Sequence, residues 1–260
     1  IRGAGGVDHA VRCKPEFNFQ PTYADLDASA KGAQSLLVNS PNNPTGVVYD
    51  RRTWTDIAKV CQTHNLWLIS DEVYDTQIWD GHHISPRSLE GMVERTLVIG
   101  SMSKSHAMTG SRVGWICGPE TMIKHLINLA THTTYGVPGY IQDAADFALN
   151  QGNADELKVA APFQRRRDIA MELIATQSVV SAVPCSGAMY MMLDIRATGL
   201  SGHIFARSLL DQKNIAVMPG ESFGQAAAGH VRVAMTVSDD QFKQALGSLL
   251  AFAGEQTKIP

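Results

Sequence analysis

Chemistry concentrates in one stretch of this sequence, Ser101-Met102-Ser103-Lys104-Ser105-His106-Ala107-Met108-Thr109-Gly110-Ser111-Arg112. An apolar run, Thr96-Leu97-Val98-Ile99-Gly100, leads straight into it and stops where the hydroxyls, the lysine and the arginine begin. A lysine held just past a strand can lose its proton and attack a carbonyl. Hydroxyls and a guanidinium beside it suit a phosphate. Together they point to a cofactor carrying both an aldehyde and a phosphate, pyridoxal 5′-phosphate (PLP).

Two other stretches have the same form, an apolar run that ends in polar side chains. Ser35 to Val38 reads as a strand and is followed at once by Asn39-Ser40-Pro41-Asn42-Asn43-Pro44-Thr45-Gly46. Proline locks φ and glycine frees it, so this is a fixed turn. Turns at the carboxyl ends of strands are where open α/β sheets bind ligands, with a plain connection as the alternative. Leu66 to Ile69 is the next strand and leads into Ser70-Asp71-Glu72-Val73-Tyr74. A carboxylate there suits a cationic ring nitrogen, although an isolated Asp71 would more simply cap a turn.

The elements that must position these groups alternate between strand and helix. Thr22 is placed to cap a helix through Ala30, and Asp50 to cap one whose buried face is Trp54, Ile57, Ala58 and Cys61. Asn65 ends that helix. Val7 to Cys13 is expected to form a short strand, and Val113 to Cys117 another. A helix opening at Pro119 is expected to bury Ile123, Leu126, Ile127 and Ala130, and a core helix to run from Ile141 to Leu149. This order predicts a mainly parallel sheet.

From a long helix over Asp155 to Gln177 onward the texture changes. Arg165, Arg166 and Arg167 there read as a solvated face. Short strands follow at 179–183, 188–195, 215–218 and 231–235, with helices around 204–213 and 238–252. The expected division is a PLP-binding part over 1–163 and a smaller α+β part over 164–260.

Composition narrows the possible functions. The chain has 260 residues, 44% of them hydrophobic, and a net charge of −3, which gives no electrostatic case for nucleic acid or an anionic membrane. The four cysteines, Cys13, Cys61, Cys117 and Cys185, form no CxxC and fit a reducing cytoplasm. Adjacent His82 and His83 lack the spacing of two ligands on one helix face, so they read as surface residues, and no metal site is expected. His106 is read as packing rather than catalytic. No secretory leader and no spanning apolar run are seen.

Five motifs fall in the order found in one family. They are Asn39-Ser40-Pro41-Asn42-Asn43-Pro44-Thr45-Gly46, Asp71-Glu72-Val73-Tyr74, Ser101-Met102-Ser103-Lys104 with Arg112, Pro219-Gly220-Glu221-Ser222-Phe223-Gly224 and Val231-Arg232-Val233. In these the chain resembles the class I/II PLP-dependent aminotransferases of fold type I. The resemblance implies that Lys104 forms the Schiff base (aldimine) with PLP and moves the proton between Cα and the cofactor. It implies that Asp71 pairs with the pyridine nitrogen, and that Asn43 and Tyr74 hydrogen-bond the ring's phenolic oxygen. It assigns Ser101, Ser103 and Arg112 to the phosphate and Arg232 to the substrate carboxylate. A ping-pong reaction between an L-amino acid and a 2-oxo acid follows, as does a homodimer.

Ser103 to Gly110 and Phe17-Asn18-Phe19-Gln20-Pro21 resemble the aspartate/aromatic/arginine–pyruvate branch of the family. Family members also carry an N-terminal phosphate loop, a ring-stacking aromatic and a tyrosine that reaches the partner subunit, none of which is found upstream of Asn43. A truncated chain is therefore expected, and the catalytic assignment belongs to the intact protein. Two alternatives are a PLP-dependent C–S β-lyase and the aminotransferase-like effector domain of a transcription regulator. The pattern of Thr109-Gly110 and Gly114-Trp115 around Arg112 resembles the enzymes.

Overall fold

The computed structural model describes residues 1–257. The end of the expected second part, 258–260, lies outside the described residues. The first part is organised by a four-stranded sheet of β1 (Ser35–Asn39), β2 (Trp67–Asp71), β3 (Thr96–Ser101) and β4 (Gly114–Cys117), paired in that order. β1, β2 and β3 are parallel and β4 runs antiparallel beside β3. The parallel strands therefore end together. Asn39 sits in register with Asp71, and β3 ends at Ser101 where helix α3 (Met102–Ser105) begins.

The helices form where the sequence places their caps. Thr22 Oγ1 accepts the Asp25 N–H at 3.2 Å to start α1 (Tyr23–Ala30). Asp50 Oδ1 accepts the Thr53 N–H at 2.7 Å to start α2 (Arg51–Thr63). The buried face of α2 is Trp54, Ile57, Ala58 and Cys61, with Val60 beside them, and it packs with Leu26, Leu66 and Leu68. Trp54 has no exposed surface. Trp54→Ala is expected to destabilise the fold by about 3–5 kcal/mol, read as a lower urea midpoint at unchanged slope.

The second part begins with α6 (Ala154–Ile174), after α4 (Glu120–Thr133) and α5 (Gly139–Leu149). Its sheet contains β5 (Ser181–Ala182), β6 (Tyr190–Asp194), β7 (Met218–Pro219) and β8 (His230–Ala234) in the antiparallel order β5-β6-β8-β7. Between and after these strands lie α7 (Gly202–Lys213) and α8 (Asp239–Gln256), the latter opened by a capping box from Ser238 to Gln241. Alternation along the strands divides the sheet into two faces. Met191, Leu193 and Val231 join Phe205, Leu209, Phe242, Leu249 and Phe252 in one core, while Met192 packs into the core of the first part. The expected division between residues 163 and 164 falls within α6, a continuous helix.

Several expectations are corrected. Residues 6–14 form no strand. No residue of α4 is buried, and Ile127 is 63% exposed; α5 buries only Ala145 and leaves Phe147 67% exposed. Periodicity identifies an apolar face, but it does not say whether anything covers that face. The arginines of α6 are not a freely solvated face either. Arg166 Nε donates to Asp239 at 2.7 Å and Arg167 Nη1 to Asp80 at 3.0 Å, with both arginine side chains largely covered. Cys13, Cys61, Cys117 and Cys185 are free thiols. Among the described residues no helix is long and apolar enough to cross a membrane.

Candidate active site

The site lies along the carboxyl ends of β1, β2 and β3, where the sheet hands the chain to three turns. The first turn is fixed from both sides. Asn39 Nδ2 donates to the Asp71 carbonyl at 3.0 Å, and Asn39 Oδ1 accepts the Asn43 N–H at 2.8 Å. At the far end Gly46 lies against the start of β6: its carbonyl accepts the N–H groups of Ser186 and Gly187, each at 2.9 Å. A Cβ on Gly46 would lie 2.6 Å from both Cys185 Sγ and the Tyr190 carbonyl, and φ there is +75°, so only glycine fits. Asn43 is thereby held at the junction of the two parts.

Asp71 ends β2. Its Oδ1 accepts the Val73 N–H at 3.3 Å, so the side chain caps the turn that follows the strand. Burial holds its carboxyl above the ordinary aspartate range; the Val73 amide pulls the other way and the neighbouring Glu72 adds to the rise. Tyr74 is buried, and burial first, then nearby Tyr190, push its hydroxyl well above the usual phenol value. Tyr74 is therefore a proton donor at neutral pH.

Lys104 stands in α3. Ser101 Oγ accepts the Ser103 N–H at 3.2 Å, and Gln77 Nε2 donates to the Lys104 carbonyl at 3.1 Å. The ammonium lies 6.0 Å from the centroid of the Tyr74 ring. Thr109 closes this loop: its hydroxyl donates to the Ser103 carbonyl at 3.2 Å, and its own carbonyl accepts from Arg112 Nη1 at 3.0 Å. Ser101, Ser103 and Arg112 are thus brought to one loop, with Arg112 exposed and at φ +51°.

Arg232 enters from β8. Its Nη1 donates to Asn43 Oδ1 at 2.9 Å, which joins residues 189 positions apart. Its buried Nε has no hydrogen-bond partner among the described residues. A buried guanidinium edge without an acceptor is costly and suits a carboxylate. Lys104 makes no ion pair among the described residues; its Nζ lies over the Tyr74 ring.

Sequence reasoning missed two features. His83 is not a surface residue: its Nε2 lies 2.7 Å from buried Glu72, and Ser85 Oγ donates to the other Glu72 oxygen at 3.1 Å. Glu72 is the residue after Asp71 and adds to the rise in its pKa. Tyr190, which reads as one more residue of an apolar strand, lies between Tyr74 and Arg232. His106 packs beside Ser105, with its Nδ1 2.8 Å from the hydroxyl. No metal-binding cluster is present among the described residues.

Comparison with known proteins gives this architecture a class. The aspartate aminotransferase of Thermus thermophilus, solved with maleate, superposes with a TM-score of 0.88 over 96% of this chain and 65% of its own, at 33% identity. The aromatic aminotransferase of Pyrococcus horikoshii gives 0.88 over 95% and 67%, at 31% identity. The fold is that of the fold-type I aminotransferases. The family model for aminotransferase class I and II matches residues 1–249, and the chain belongs to that family. The arginine–pyruvate transaminase AruH of Pseudomonas aeruginosa is 43% identical over 253 residues, and the aspartate/prephenate aminotransferase of Thermus thermophilus 34% over 250. The chain spans 64% and 63% of the lengths of those two relatives.

Proposed function

We propose that the intact protein is a PLP-dependent aminotransferase that moves an amino group between an L-amino acid and a 2-oxo acid in two half-reactions at one site. The observation that carries the reading is the convergence of Lys104, Asp71, Tyr74 and Asn43 at the strand ends with Arg232, whose buried Nε lacks a partner among the described residues. The residues fit the cofactor, since a half-buried carboxylate, a neutral phenol and a loop of two serines and an arginine match its cationic nitrogen, phenolic oxygen and phosphate. When bound, PLP supplies an aldehyde for the amine and a ring that takes up the electron pair released at Cα.

The roles of the chain's own residues follow from their chemistry. Lys104, once its amine is neutral, removes the proton at the substrate Cα and delivers it to the cofactor side. Asp71 keeps a carboxylate opposite the ring nitrogen. Tyr74 and Asn43 donate to the phenolic oxygen, Tyr74 because its raised pKa keeps the proton on it. Ser101, Ser103 and Arg112 hold the phosphate, and Arg232 binds the α-carboxylate. The same reading makes the protein a cytoplasmic homodimer whose partners are small acids rather than nucleic acid or membrane. Because its relatives include an arginine–pyruvate transaminase, an aspartate/prephenate aminotransferase and an aromatic aminotransferase, pyruvate is the first acceptor to try, with arginine, aspartate and aromatic amino acids as donors.

The test is an absorbance spectrum of the intact protein with PLP, then borohydride reduction and peptide mapping. The reduced adduct is expected on Lys104, and any other position overturns the assignment. Amino-group transfer to pyruvate or 2-oxoglutarate supports the aminotransferase. Pyruvate and ammonia released from cystathionine without an acceptor would identify the β-lyase instead.

A further inference from the structure

Tyr190 has no role in the reading above, yet its ring lies against both Tyr74 and Arg232. Its position follows from strand register. β6 and β8 are antiparallel, with Met192 opposite Arg232 and Tyr190 opposite Ala234. Tyr190 and Arg232 are therefore diagonal neighbours on the same face of the sheet, within reach of an aromatic side chain. The guanidinium carbon lies 4.3 Å from the Tyr190 ring centroid and 4.9 Å from that of Phe223. On its other flank the Tyr190 ring meets Tyr74 edge to face, with centroids 6.0 Å apart.

Both ends of the Tyr190 position are fixed. Its carbonyl accepts from Cys185 Sγ at 3.2 Å and abuts Gly46, which ties the residue to the turn that carries Asn43. Phe223 is held by the loop ahead of it, where Glu221 accepts the N–H groups of Gly202 at 2.9 Å and Gly229 at 3.2 Å. Among the described residues the Arg232 side chain thus has two aromatic rings against it and one hydrogen bond, from Nη1 to Asn43. A guanidinium on a flexible stem can turn its fork in many directions. Rings packed against it limit how it can turn, so the unpaired Nε edge is held in place before any ligand arrives.

We infer that Tyr190 is a positioning residue for carboxylate binding: its ring face fixes the plane of Arg232, and its edge contact with Tyr74 ties that grip to the hydroxyl deeper in the site. The inference rests on the aminotransferase reading of Arg232. The operative part of the side chain is the ring face, so phenylalanine can replace it and an aliphatic side chain of similar bulk cannot.

The experiment uses intact, PLP-loaded protein carrying Tyr190→Phe or Tyr190→Leu. Pyruvate and 2-oxoglutarate have no amino group to transfer, so calorimetry on the pyridoxal form reads carboxylate binding apart from turnover. Tyr190→Leu is expected to weaken binding of the acid by about tenfold and to raise its KM in proportion, with kcat little changed. Tyr190→Phe is expected to restore both. PLP affinity, followed by tryptophan fluorescence, should stay the same in both variants. Binding in Tyr190→Leu equal to wild type overturns the inference, and so does a Tyr190→Phe as weak as Tyr190→Leu. Loss of PLP affinity in parallel with acid affinity also overturns it, because that marks a merely structural role. Failure of the wild-type protein to label at Lys104 would instead overturn the aminotransferase reading itself.

Discussion

Lys104→Ala is expected to lower kcat/KM for amino transfer by about ten-thousandfold, because on the proposed reading one change removes both the covalent anchor and the base. Lys104→Arg should fall nearly as far. A guanidinium has a pKa above about 12, so it neither attacks a carbonyl nor takes a proton at neutral pH. The structure lets this loss be read as chemistry rather than misfolding. Lys104 contributes its backbone carbonyl to Gln77, a bond that any side chain preserves, and alanine suits a helix better than lysine. The start of α3 is capped by Ser101, not by the lysine. The ammonium has no carboxylate partner among the described residues, so its removal leaves no orphaned charge behind. The measurement is a single-turnover half-reaction with the best amino donor, run beside a thermal melt. Lys104→Ala retaining a tenth of wild-type turnover would sink the assignment.

Three groups of the candidate site were read from local pattern, and each sits where an apolar run ends. Asp71 ends β2, and Asn43 and Lys104 follow β1 and β3 within a few residues, so local pattern is enough to bring them to the strand ends. Arg232 was legible only through its motif, since it lies inside a strand and reaches Asn43 across 189 positions. Tyr190 and His83 gave no signal. Tyr190 sits in Tyr190-Met191-Met192-Leu193, a run that reads as core, and its tie to Arg232 depends on a register between strands separated by α7 and β7. His83 reaches Glu72 through an irregular loop whose path no periodicity encodes. The same limit explains α4 and α5. Their apolar spacing was read correctly as a face and wrongly as a buried one, because burial is a property of what lies opposite.

Asp71→Asn is expected to have opposite effects on the cofactor-free and the PLP-loaded protein. In the cofactor-free protein burial raises the Asp71 pKa above its ordinary value, with neighbouring Glu72 adding to the rise. An acid whose folded pKa exceeds its unfolded one binds its proton more tightly when folded. Its favourable contribution is complete below the unfolded value, near 3.9 for an aspartate, and is lost as pH rises through the raised folded value. At neutral pH the ionised carboxylate therefore costs stability. Asparagine keeps the oxygen that accepts the Val73 N–H and carries no charge to desolvate. The cofactor-free Asp71→Asn protein should accordingly melt higher than wild type at pH 7. The difference should shrink as pH falls through the raised folded value and be gone below the unfolded one, because wild-type Asp71 is then protonated in both states. Asp75, raised by burial in the same way, stays in both proteins and cancels from the comparison. With PLP bound the order reverses. On the proposed reading the carboxylate would hold the cationic ring nitrogen, and an amide in its place would not keep that proton on the ring. The ring becomes a poorer electron acceptor and kcat should fall by about a hundredfold to a thousandfold, the usual effect of deleting one preorganised electrostatic partner. Paired melts with and without PLP across pH, together with half-reaction rates, decide the matter. A loaded Asp71→Asn protein that turns over at the wild-type rate would remove Asp71 from the site, whatever its effect on the cofactor-free fold.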